Sequence, residues 1–288
     1  MYKTLSFKTL SAVSGGVCVL LILSAALSAA FPVKDVLAPE TRQLSIIMYH
    51  QISENRSIWG NYVIPEEKLR ADFQYMKDNG FNPVSLKTVQ DFVSGKSRTL
   101  PKNAVVITFD DGERSFLTKV LPLLKEFNYP AVVSIVGALA DMYTKSGETN
   151  DAYAYLNWDD IKELSKEPLI EIGNHSYNMH SLGTRRGMGK IYGESDEAYK
   201  KIIASDFGLL HAAFKERLLN QPTILAYPYG IRNDILFEYA KSEGYTVTLT
   251  CSEKINRLKE NSPLYELGRF NRPYKESCET FFAKLEQS

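Results

Sequence analysis

Val105-Val106-Ile107-Thr108-Phe109-Asp110-Asp111-Gly112 is the stretch on which the fold of this chain turns. Its first five residues are β-branched or aromatic, the composition of a buried strand. They run straight into two carboxylates and a glycine, all residues that suit a turn. Successive strand side chains point to opposite faces, so Asp110 and Asp111 need not serve the same partner. At an open strand end, one carboxylate can hold a cation while the other handles a proton. Otherwise Asp-Asp-Gly is a plain turn, and the rest of the chain has to decide.

Apolar strand patterns recur on both sides, at Leu44–Met48, Ala131–Val136, Ile170–Gly173, Ile224–Tyr227 and Thr246–Thr250. Helical patterns lie between them. Pro65 opens one, with Glu66 and Glu67 at its positive end and Leu69, Phe73 and Met76 as its apolar stripe. Phe116, Val120, Leu123, Leu124 and Phe127 mark another, with Pro122 inside the pattern to kink it. Asn157 caps a helix starting at Trp158, a long helix follows from Asp196, and a further one closes at Gly244. The polar stretches Gln51–Tyr62 and the one after Val136 read as loops.

This alternation predicts an α/β fold of βαβ units: a parallel (β/α) barrel of about seven strands, distorted, with an open doubly wound sheet as the alternative. In either, functional residues belong at the C-terminal ends of the strands.

The formal net charge is +0 and no long run of like charges occurs, which argues against a nucleic-acid partner. Lys3 and Lys8 precede an uncharged stretch from Thr9 to Val33, with Ser28-Ala29-Ala30 resembling a signal-peptidase site. Residues 1–33 therefore read as a signal peptide or a membrane anchor, and either puts the remainder outside the cytoplasm. Residues 34–43 read as a linker and 44–288 as the working domain, so the membrane is met only through the leader. Outside the leader, Cys251 and Cys278 read as small buried thiols rather than a disulfide framework.

The chain has 4 histidines, and three follow apolar strands: His50 after Leu44–Met48, and His175 and His180 after Ile170–Gly173. In a parallel sheet they converge on the rim that holds Asp110 and Asp111. One carboxylate and two imidazoles make a first shell for a divalent metal with positions left open. Such an ion acidifies water and polarises a carbonyl, while a second carboxylate takes a proton and a separate histidine gives one. The set suits hydrolysis of an amide or ester. His211, on the long helix, is assigned no role.

Thr108–Gly112 resembles the first motif of the polysaccharide deacetylases, the NodB-type carbohydrate esterases, and the likeness runs from Ser45 to Pro273. The resemblance implies that Asp110 is the general base and Asp111 a metal ligand. It places the other ligands at His175 and His180, in His175-Ser176-Tyr177-Asn178-Met179-His180. That spacing is one residue longer than the common pattern, which would put its second ligand at Met179. The longer spacing, and the Tyr49-His50 pair, are similar to the circularly permuted branch acting on poly-β-1,6-N-acetylglucosamine, which implies His50 as the acid.

Tyr227-Pro228-Tyr229-Gly230 resembles the segment whose tyrosine N–H helps hold the oxyanion, here Tyr229. The arginine that steadies the base in the family is missing just upstream of this segment; Arg269 could replace it, although a surface salt bridge is the expectation. Trp158 resembles a groove-lining aromatic and reads equally as a buried helix-start residue. The family implies a hydrolase that removes N-acetyl groups from an extracellular or cell-wall polysaccharide, using one divalent ion, zinc before others. An O-acetyl esterase, a peptidoglycan deacetylase or a non-catalytic carbohydrate-binding relative stay open.

Overall fold

The structure, a computed structural model, describes residues 41–217 and 219–286. The leader and all but the last residues of the linker expected at 34–43 lie outside them. From Thr41 onward the chain is one compact unit. No helix among the described residues is long and apolar enough to cross a membrane.

Among the described residues, seven strands make the continuous path of the central sheet, and the short segments Asn82–Pro83 and Phe270–Asn271 pair beside it. In chain order the seven are β1 (Arg42–Tyr49), β2 (Ala104–Phe109), β3 (Ala131–Ile135), β4 (Ile170–Asn174), β5 (Ile224–Ala226), β6 (Val247–Leu249) and β7 (Asn256–Leu258). Their spatial order is β7-β1-β2-β3-β4-β5-β6. The neighbours from β1 to β6 are parallel, with Tyr49 opposite Phe109 and Asn174 opposite Leu225. β7 runs antiparallel to β1, which makes the sheet mixed where a wholly parallel one is expected from the sequence. β7 is only three residues with an exposed arginine at its centre, so it carries no apolar run to announce it.

The gap between β6 and β1 is crossed by Leu267–Asn271. Leu267 forms a parallel bridge to Leu249, and Phe270–Asn271 pair in parallel with Ile47–Met48. The sheet thus curls into a distorted barrel.

Eight α-helices among the described residues accompany it: α1 (Glu66–Asp78), α2 (Leu86–Val93), α3 (Leu121–Phe127), α4 (Gly137–Ser146), α5 (Trp158–Leu164), α6 (Asp196–Glu216), α7 (Asp234–Ser242) and α8 (Cys278–Glu286). Asn157 caps α5 in a reciprocal capping box with Asp160, as its position suggests. Pro122 cannot donate to a preceding turn, and the chain before it, Phe116–Val120, widens into a π-turn. α4 replaces the loop expected after Val136. It buries only Gly137 and Ala140, too little to mark a helical stripe in the sequence.

Side-chain parity then divides the core. Val105, Ile107 and Phe109 of β2 pack outward, under α1, α3, α5 and α8. Ala104 and Val106 join Leu44, Ile46, Val132, Ala226, Val247 and Leu249 inside the curl, closed below by Leu86, Val89 and Phe92 of α2. Thr108 and Asp110 continue the inward parity, so the first carboxylate arrives at the top of the barrel interior.

Candidate active site

Strand parity alone would turn Asp111 away from Asp110. Instead, Asp111 and Gly112 both adopt left-handed backbone, with φ of 70° and 74°. The first value is costly for a side-chain-bearing residue, the kind of local strain that gathers at functional sites. A Cβ on Gly112 would lie 3.2 Å from Ile135, so glycine there allows both the φ and the close approach. The turn brings both carboxylates to the same rim.

Asp110 is buried beneath that rim, and its partner is Arg269. The guanidinium donates to both carboxylate oxygens at 2.7 Å, and also to the Thr250 carbonyl at 2.9 Å and Thr108 Oγ1 at 3.2 Å. Arg269 has 0% exposure, so the expected surface salt bridge is corrected to a buried, two-pronged one. Burial pushes the Asp110 pKa up most strongly of any single influence, but the charge and hydrogen bonds of Arg269, with His175 and His50 nearby, together hold the carboxylate below its ordinary range. Asp110 is therefore ionised and oriented.

Asp111 meets the two histidines. His175 Nε2 lies 3.3 Å and His180 Nε2 3.1 Å from Asp111 Oδ1, and one ligand atom from each of the three residues falls within 4.8 Å of the others. Oδ1 is nonetheless buried without a hydrogen-bond partner. Convergent acceptor atoms around an orphaned oxygen fit a cation. His175 Nδ1 sits 2.7 Å from the Ala226 carbonyl, which can only accept. The ring proton is therefore on Nδ1, and the Nε2 lone pair faces the site, as a metal ligand requires. The three residues form a candidate site for a divalent ion.

Between the histidines, Met179 is buried among Tyr199, Ile203, Phe207 and Tyr227. Ser176, in left-handed backbone at φ 74°, lets the chain take up the extra residue, and His180 is the one delivered to Asp111. The His180 ring stacks on Tyr229 at 4.8 Å between centroids.

His50 lies on the same pocket, edge-on to Tyr62, with Nδ1 buried and unpartnered. Its pKa is lowered by burial, against the opposing pull of Asp110 and Asp111. The pocket has a volume of about 490 Å³ and is lined by His50, Asp110, Asp111, His175, His180 and Tyr229, among others. Tyr62, Leu182 and Arg186 are exposed at its mouth. A larger hollow of about 700 Å³ between α6 and α7 holds none of these groups.

Trp158 stands elsewhere. It is 2% exposed at the start of α5, its indole N–H donates to Asp141 at 2.6 Å, and its ring meets Phe214. The pocket lining does not include it, so the groove-lining expectation gives way to the buried one. Arg269 is the residue whose place could not be read from sequence, because its partner is 159 residues distant. Its only signal is a lone arginine inside the apolar run Leu267–Phe270. His211, expected on the helix surface, is half-buried beside Tyr245. Cys251 and Cys278 are free; Cys251 is exposed on the pocket wall rather than buried.

A curled β/α barrel with an Asp-His-His cation site and an arginine-held carboxylate on its C-terminal rim defines a class of metal-binding hydrolase folds. More particularly, the chain belongs to the polysaccharide deacetylase family, whose model matches residues 97–248. That segment contains Asp110, Asp111, His175, His180 and Tyr229, while His50 and Arg269 come from either side of it. The poly-β-1,6-N-acetyl-D-glucosamine N-deacetylase of Escherichia coli K12 is 28% identical over 223 residues, 71% of this chain and 33% of that protein. The protein of the same name from Staphylococcus aureus MRSA252 is 26% identical over 67% of this chain and 63% of its own length. The chain thus spans about a third and under two thirds of these relatives. Among solved structures, the de-N-acetylase of Aggregatibacter actinomycetemcomitans superposes with a TM-score of 0.72 at 26% identity, over 84% of this chain and 99% of that one. The Streptococcus pyogenes deacetylase PplD, at 23% identity, shares the fold with a TM-score of 0.65 over 86% and 100% of the two chains.

Proposed function

We propose that this protein removes N-acetyl groups from a polysaccharide built on N-acetylglucosamine, outside the cytoplasm, by metal-assisted hydrolysis. The observation that carries the reading is the pairing of two carboxylates with different surroundings in one pocket. Asp111 faces the ring nitrogens of two histidines, and Asp110 faces a guanidinium. One is arranged to hold a cation, the other to stay ionised and take a proton. The names of the E. coli and S. aureus relatives support poly-β-1,6-N-acetylglucosamine as the polymer.

In this reading Asp111, His175 and His180 hold one divalent ion, with zinc favoured by the one-carboxylate, two-imidazole donor set. Bound there, the ion supplies Lewis-acid polarisation of the acetamide and a more acidic water. Asp110 is placed to accept the proton of the attacking water, and Arg269 keeps the carboxylate ionised and aimed. The Tyr229 N–H stabilises the charge that develops on the carbonyl oxygen. His50, on the pocket wall, gives the proton that lets the sugar amine leave, and acetate departs. Tyr62 offers an exposed ring beside His50 on which a sugar face can rest.

Acetate release from poly-β-1,6-N-acetylglucosamine oligomers, chitin oligomers and peptidoglycan fragments, with and without chelator, tests the proposal. Chelator-sensitive release from the first substrate is expected. Release only from O-acetylated sugars would replace it with an esterase, and binding without release would make the chain a carbohydrate-binding relative.

A further inference from the structure

The two histidines of the cation site are not held alike. His175 is buried, and its ring is fixed by the Ala226 carbonyl. His180 is partly exposed, and its Nδ1 has only the Tyr229 hydroxyl, at 3.4 Å. Its position is therefore set by the backbone that delivers it, Ser176–Met179, which carries the extra residue between the ligands.

That backbone is gripped from α6. Asp206 is 5% exposed, and its two carboxylate oxygens accept the N–H groups of Tyr177 at 2.8 Å and Asn178 at 2.7 Å. Around this grip, Asn174 Oδ1 accepts the Ser176 N–H at 2.6 Å and Ser176 Oγ accepts the Met179 N–H at 2.9 Å. Asn174 is itself held by Tyr245, and the Tyr177 hydroxyl donates to Asp141. Asp206 is the one group here that binds two consecutive loop amides from a separate element, and it does so with a charge. No α6 side chain enters the pocket, so any effect of Asp206 on the site passes through this loop.

We propose that Asp206 is a positioning residue for the cation site: by clamping the Tyr177 and Asn178 amides it absorbs the long spacing and presents His180 to Asp111. The inference rests on the proposed metal binding. Outer groups that orient ligands contribute on the order of 10–100-fold to metal affinity, and a loss in that range is expected for Asp206→Asn. The amide keeps the shape but turns one acceptor into a donor facing a backbone N–H.

The test is Zn²⁺ affinity of the full chain by competition with a chromophoric chelator, together with the visible spectrum of the Co²⁺ form. Phe214→Leu, which removes buried bulk from the same helix where it packs on Trp158, is expected to lower the melting temperature and leave zinc affinity unchanged. Wild-type affinity and an unaltered cobalt spectrum in Asp206→Asn would overturn the inference. If that variant does not fold, Asp206→Glu decides, since it keeps charge and both oxygens but displaces them by a methylene. Weaker zinc supports the clamp and unchanged zinc overturns it. A wild-type chain that took up no zinc would overturn the metal reading of the site itself, and the inference with it.

Discussion

Arg269 and Asp110 meet in two parallel hydrogen bonds of 2.7 Å, fully buried, across 159 residues of sequence. The arginine rides on the segment that closes the sheet between β6 and β1, so fold closure and orientation of the proposed base are one event. Removing the guanidinium would leave a buried carboxylate uncompensated, which costs roughly 3–5 kcal/mol. Arg269→Ala is expected to lower stability by about that much, measured by denaturant unfolding. Arg269→Lys keeps the charge but cannot reproduce the fork. It should stay folded and lose deacetylation rate, and full activity in the lysine variant would show that geometry at Asp110 is not what the arginine supplies.

The same pair sets a pH dependence. Asp110 is held below its unfolded carboxylate value of about 3.9. A depressed pKa means that the folded state binds fewer protons than the unfolded one in that window. The stabilisation is therefore complete above the unfolded value and is lost as pH falls through the lower, folded one. Unfolding midpoints taken from about pH 6 down to about pH 2 should fall more steeply for wild type than for Asp110→Asn, which has no proton to gain. Parallel curves would mean that Arg269 does not depress Asp110.

Met179 and His180 separate cleanly by experiment. The histidine faces Asp111 and the methionine lies in the apolar cluster under α6 and α7. His180→Ala should lose metal and activity together, seen by metal analysis of the dialysed protein. Met179→Leu conserves volume and should cost under about 1.5 kcal/mol, with metal retained. Stoichiometric metal in His180→Ala, or its loss in Met179→Leu, would reverse the assignment.

How much of this could be read from the chain follows from where each signal is stored. The strands ending at Tyr49, Phe109 and Asn174 announce themselves by local apolar composition, and with them the rim that carries His50, Asp110, Asp111 and His175. The identity of Asp111 as the residue that turns back to the rim depends on a φ value, which the Gly112 beside it only suggests. Arg269 can be named from the sequence but not placed: its environment is made by residues from β2 and the chain after β6, brought together only by closure. Trp158 shows the opposite limit. A helix-start tryptophan has the same sequence context whether its ring faces a groove or Phe214, and only packing chooses. The short antiparallel β7 and the polar α4 fall below any periodic signal, and neither carries a proposed functional residue.

His50 supplies the last test. It contacts the pocket from just past the end of β1, outside the Asp-His-His cluster, and its Nδ1 has no protein partner. A residue in that position can act on the reacting groups without holding the ion. His50→Ala should therefore keep its metal content and its fold, because the ring contributes to neither the ligand set nor a hydrogen-bond network. Its kcat should fall by on the order of 10²–10⁴, the usual worth of a general acid, with KM changed far less. Steady-state kinetics on acetylated oligomers, paired with metal analysis of the same preparation, reads both. A raised KM at unchanged kcat would make His50 a sugar-binding residue, and loss of metal would place it in the ligand shell.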